Sequence, residues 1–191
     1  ATTKDLATDA QAAYTFLKKR KEVNPKKIGL LGISEGALIA SSVAATQKDV
    51  AFVVLMAGNA VPGVESLVSQ NEAIFRAAGI PDEALQKLLA LRRAQFQVAA
   101  SKANSDAAAA NKIRSLEQEA KNQLTDQEKQ MLGLTPENES GLVAQLTRPW
   151  MRYYLAYDPA PTLQKLKMPV LALNGSKDLQ VPATVNLAAT G

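Results

Sequence analysis

Ser34 sits in the pentapeptide Gly32-Ile33-Ser34-Glu35-Gly36, a Gly-x-Ser-x-Gly spacing. A serine hydroxyl is a weak nucleophile until it is held in place and given a base. The flanking sequence suits the first need. Lys27 to Leu31 (KIGLL) is a short apolar run that reads as a buried strand, and the alanine- and leucine-rich stretch from Glu35 to about Gln47 reads as a helix. A sharp strand–turn–helix puts the hydroxyl above the sheet, at a helix N-terminus that favours developing negative charge. The plainer reading is a glycine-bounded turn in which Ser34 caps the helix. The second chemical candidate is Asp178, in the loop Asn174-Gly175-Ser176-Lys177-Asp178 after the apolar run Pro169 to Leu173. Ligands of open α/β sheets bind outside the carboxyl ends of strands, where this loop falls. Its plainer reading is a turn aspartate bonded to its own backbone.

A base is harder to find. The 191 residues contain no histidine, the usual proton acceptor near neutral pH. Glu35 adjoins the serine, but a side chain at a helix start points away from its neighbour. Lys27 and Lys177 read as solvated flanks. There is no cysteine, which excludes disulfides, thiolate metal sites and a cysteine nucleophile and leaves the compartment open. No ligand-spaced cluster of histidine, cysteine or carboxylates calls for a metal, and Gly29-x-x-Gly32 is not a phosphate loop, so no cofactor is expected. The net charge is +4, with scattered cations and one run, Lys18-Lys19-Arg20-Lys21, at a helix end, where the dipole favours it. Nucleic-acid binding is not expected from that pattern. No apolar run approaches the length of a membrane span.

The elements that must position these residues form an α/β pattern. Thr2-x-x-Asp5 opens a helix as a capping box, and Asn24-Pro25 stops it. Strand, turn, helix and the second apolar run Ala51 to Met56 make a βαβ unit and hence a parallel sheet. Between about Val64 and Leu146 strand-like runs stop, and helices are expected at 64–78, 81–103, 106–132 and 137–146. Pro161 to Leu166 and Pro182 to Thr190 are expected to be helical, flanking the third strand. The expected organisation is a hydrolase-like core over 1–62, a helical cap insertion over 63–147, and a return to the core over 148–191. Ser34 and Asp178 are 144 positions apart, a separation that is long unless a cap is inserted, and the helical segment supplies the cap. It would roof the site and set specificity, or form a packed bundle with no ligand. Trp150, Tyr153, Tyr154 and Tyr157 form the aromatic cluster and are expected mainly to pack.

Lys26 to Gly36, Val53 to Gly58, Tyr157-Asp158-Pro159-Ala160-Pro161 and Pro169 to Val181 resemble a group of bacterial α/β-hydrolases. The group is close to the prolyl-oligopeptidase-like and dienelactone-hydrolase-like esterases, and the resemblance covers essentially the whole chain. It implies an α/β-hydrolase parallel sheet, contributing three strands here. It also implies Ser34 as nucleophile, Asp178 as triad acid and the Glu35 backbone N–H as one oxyanion donor, acting on a small-molecule ester. Ile33 replaces a frequent histidine and Ala37 a frequent second glycine. Family members carry strands before this segment and a strand with the catalytic histidine after it. The chain therefore reads as an internal piece of a longer hydrolase, with an exposed sheet edge open to self-association or to a complementing polypeptide. The competing expectation is a non-catalytic, degenerate hydrolase-fold binding module.

Overall fold

Three short aliphatic segments, each ended by a turn at the same level, build the sheet. In the computed structural model, which describes residues 1–190, they are β1 (Leu30–Ile33), β2 (Val53–Met56) and β3 (Val170–Leu173), all parallel, in the order β1-β2-β3. The register aligns Leu30 with Val53 and Val170, and Ile33 with Met56 and Leu173. The chain divides into two compact units, Ala1–Pro62 with Asp158–Gly191, and Gly63–Tyr157.

In the first unit, the helices α1 (Thr3–Lys18), α2 (Glu35–Thr46) and α9 (Ala160–Leu163) serve the sheet. The Thr2/Asp5 capping box is formed, with the Thr2 N–H donating to Asp5 at 2.7 Å. Asn24 caps a 3₁₀ turn at Pro25–Lys27, which delays β1 until Leu30. Tyr14, Ala37, Ala40, Ala44, Val53 and Leu55 pack into one apolar cluster, with Leu163 and Met168 against it. Alternation along the strands sends Leu31, Ile33, Val54, Met56, Leu171 and Leu173 to the opposite face. That face lies open: Leu31 is 61% and Leu171 52% exposed. Parallel sheets are normally covered on both faces.

The second unit is helical: α3 (Gly63–Ala77), α4 (Asp82–Ala100), α5 (Asp106–Lys121), α6 (Asp126–Met131), α7 (Pro136–Leu146) and α8 (Pro149–Ala156). The α4 stripe of Leu85, Leu88, Leu89 and Phe96 is buried, as its spacing predicts. Gly63 allows α3 to meet α8, because a Cβ there would lie 2.0 Å from the Tyr154 carbonyl oxygen. Three departures from the expected helices appear. The single helix over 106–132 is two helices, because Thr125 and Glu128 form a capping box that starts α6. Residues 149–156 form a helix that periodicity alone did not indicate; Pro149 takes its first turn, and Trp150 and Tyr154 stack at 5.9 Å. Tyr154 is buried, and its hydroxyl lies 3.0 Å from Ser66 Oγ. In the first unit, the expected helix over Pro182 to Thr190 is confined to α10 (Ala183–Asn186).

Candidate active site

Ser34 follows β1 directly and adopts φ 54°, ψ −121°. These are the angles of the first central residue of a type II′ turn, a position that favours glycine. Holding serine there costs about 1–3 kcal/mol. The turn is over-determined by its surroundings. The Ser34 N–H donates to the Met56 carbonyl at 2.9 Å, and the Ala37 N–H donates to the Ser34 carbonyl at 3.0 Å. Gly32 has no room for a side chain: a Cβ would lie 2.0 Å from the Gly36 carbonyl oxygen. Gly36 is different, since a Cβ there meets nothing within 4 Å. Steric need within the pentapeptide therefore rests on Gly32. The Ser34 side chain is exposed and makes no capping hydrogen bond to α2. The plain N-cap reading is thus set aside. Glu35 is the first residue of α2, so its backbone N–H belongs to the set of donors that a helix start leaves outside the helical ladder.

The Glu35 carboxylate is engaged elsewhere. Buried Thr3, in the first turn of α1, donates its hydroxyl to Glu35 Oε1 at 2.7 Å. Lys27 lies in the 3₁₀ turn that enters β1, at the sheet end opposite Ser34, and Lys177 is exposed.

The ladder continues one residue past the strands, as the Ala57 N–H donates to the Leu173 carbonyl at 2.7 Å. Ser34, Ala57 and Asn174 are therefore consecutive positions along the carboxyl edge of the sheet. Two strand spacings, about 10 Å, separate Ser34 from Asn174. The Asn174 loop closes on itself: Asn174 Nδ2 donates to the Val181 carbonyl at 2.8 Å. Half-buried Asp178 accepts from the Gln180 and Val181 N–H groups at 2.9 and 3.0 Å, both on Oδ1. The turn-aspartate role is real, yet it occupies one oxygen. Oδ2 receives no hydrogen bond among the described residues. Asp178 thus sits as a fixed carboxylate with one acceptor oxygen open, on the same edge as Ser34.

Two supporting residues escaped the sequence reading. Ala57 also has positive φ, 46°. Asn186, 1% exposed, accepts from the Ala60 N–H at 2.9 Å and donates to the Pro182 carbonyl at 3.1 Å. It ties the loop after β2 to α10. Neither carries a motif that marks its role. Among the described residues, no group of three or more histidine, cysteine, aspartate or glutamate side chains could hold a metal ion.

A parallel sheet flanked by helices, with a serine in a strained strand–helix turn at its carboxyl edge, has the architecture of an α/β-hydrolase-type domain. The family described as BAAT / Acyl-CoA thioester hydrolase C terminal matches residues 10–138, and the chain belongs to it. That match spans β1, the serine turn and most of the helical unit. It places the chain among hydrolases of the acyl-CoA thioester hydrolase type. A comparison with curated proteins finds no match.

Proposed function

We propose that the chain carries the nucleophile and acid of a serine hydrolase acting on acyl thioesters or carboxylic esters. The observation that supports this most is the backbone of Ser34: a residue held at a costly φ with its hydroxyl outside the helix cap. In the proposed reaction, a histidine from outside these 191 residues takes the Ser34 Oγ proton as Oγ attacks the acyl carbon. Asp178 Oδ2 holds that imidazole and stabilises its cation. The Glu35 N–H and the start of α2 receive the oxyanion. Collapse expels thiolate or alkoxide, which leaves with the proton from the imidazolium, and water then hydrolyses the acyl-serine by the same steps. The family's description favours the thioester as substrate class.

Fluorophosphonate treatment, with imidazole supplied as a soluble base, tests the assignment. The adduct is expected on Ser34, absent in Ser34→Ala, and slower to form in Asp178→Asn. An adduct on another residue, or none on the folded protein, overturns the nucleophile. The second reading, a non-catalytic binding module of hydrolase fold, draws on the absence of histidine. A folded chain that stays unlabelled with imidazole present would favour it.

A further inference from the structure

The charge of the chain is unevenly distributed. Residues 63–157 hold eleven Lys and Arg against eleven Asp and Glu, whereas the rest holds eleven against seven. The whole net charge of +4 therefore belongs to the sheet-bearing unit. Within it, nine of the eleven cations lie where the strands begin. Lys26 and Lys27 precede β1, Lys48 precedes β2, and Lys165 and Lys167 precede β3. Lys18, Lys19, Arg20 and Lys21 end α1. They reach the same side because Lys18 bonds Asp49, just after α2. The two carboxylates there are already engaged: Asp49 by Lys18 and Tyr14, Glu22 by Arg20.

On this side, a cavity of about 690 Å³ opens between the end of α2 and the segment entering β3. Ala44, Ala45 and Met168 give it an apolar floor, and Lys48, Lys165 and Lys167 line it with no carboxylate among the lining residues. All three lysines are exposed, and none is in an ion pair among the described residues. Among the described residues, the Lys167 ammonium donates only to the Gln164 carbonyl, at 3.4 Å. The C-terminal carbonyls of α2 account for one cation nearby. They do not account for three around one concavity. The twelve residues of α2 put this site about 18 Å from Ser34. It is therefore separate from the candidate catalytic edge, and its occupancy is independent of the reaction proposed there.

We propose that this cavity binds a phosphate-bearing anion, with Lys48, Lys165 and Lys167 on the phosphate oxygens and the organic portion against Ala44, Ala45 and Met168. Ammonium groups on flexible stems suit phosphates as point charges. A concave site of this volume suits a discrete small ligand or a lipid headgroup better than a flat polymer.

The test uses the full chain and two probes. Inorganic triphosphate is titrated calorimetrically, and vesicles of phosphatidylcholine with or without phosphatidic acid are tested by co-sedimentation. The pocket variant Lys48→Gln/Lys165→Gln/Lys167→Gln is compared with Lys19→Gln/Lys21→Gln/Lys26→Gln. The second variant removes equal charge from the same side and leaves the cavity intact. Binding of either probe is expected to weaken about tenfold in the pocket variant and by less than about threefold in the control. Binding of triphosphate identifies a soluble ligand, and binding of acidic vesicles alone identifies a headgroup. Equal weakening in both variants, or no binding of either probe by the unaltered chain, overturns the site. Melting curves by circular dichroism check that both variants fold, as expected for exposed side chains.

Discussion

Ser34 is expensive to hold where it is, and the residues around it show what the expense requires. Gly32 must lack a side chain because the backbone of Gly36 fills its Cβ position. Gly36 has no such constraint and lies within α2. Gly32→Ala should therefore lower stability by about 3 kcal/mol or prevent folding, through displacement of the turn. Gly36→Ala should be neutral or stabilising by up to about 1 kcal/mol, since alanine is the better helix former. Urea unfolding of the two variants distinguishes them, and equal losses would show that both glycines are sterically required. At this scale the types and spacing of Ser34 and Asp178 were readable directly. Ala57 and Asn186 were not, because their roles arise from a backbone angle and from a contact 126 residues away in sequence.

Among elements, α1 is joined to the turn before β2 by one buried group. Tyr14, 1% exposed, donates its hydroxyl to Asp49 Oδ1 at 3.0 Å, with the Lys18 ammonium 5.5 Å from its ring centre. Burial, then the bond and charge of Asp49, push the phenol up to about 12. A folded value above the ordinary one near 10 means that this contribution is complete below pH 10 and is lost as pH rises from 10 toward 12. Tyr14→Phe should cost about 1 kcal/mol below pH 10, and the gap between variant and parent should close across that window. Thermal melts over the alkaline range check this; a constant gap would show that Tyr14 does not titrate with unfolding. The strands were legible as short apolar runs bounded by turns, and most helices as clean apolar periods. The break between α5 and α6 was present as a capping box but was outweighed by a helical period running through it. The helix α8 was hidden because its Trp and Tyr residues suggest packing without indicating a period.

At the scale of the molecule, an uncovered apolar surface among the described residues is the sheet face carrying Leu31, Ile33, Met56, Leu171 and Leu173. Surfaces of this kind drive association. Sedimentation should show concentration-dependent self-association of the chain, reduced by Leu31→Lys with Leu171→Lys. Unchanged association in that variant would remove the face from consideration. The continuous apolar runs read as buried strands, and the open face departs from that expectation, because a run apolar on both faces does not say what covers each face. The basic side has a different consequence. A chain whose excess of cations is gathered where the strands begin does not meet a negatively charged resin at random. It lands on that end, elutes at higher salt than an evenly charged protein with the same +4, and, once adsorbed, turns Ser34 and Asp178 toward the liquid.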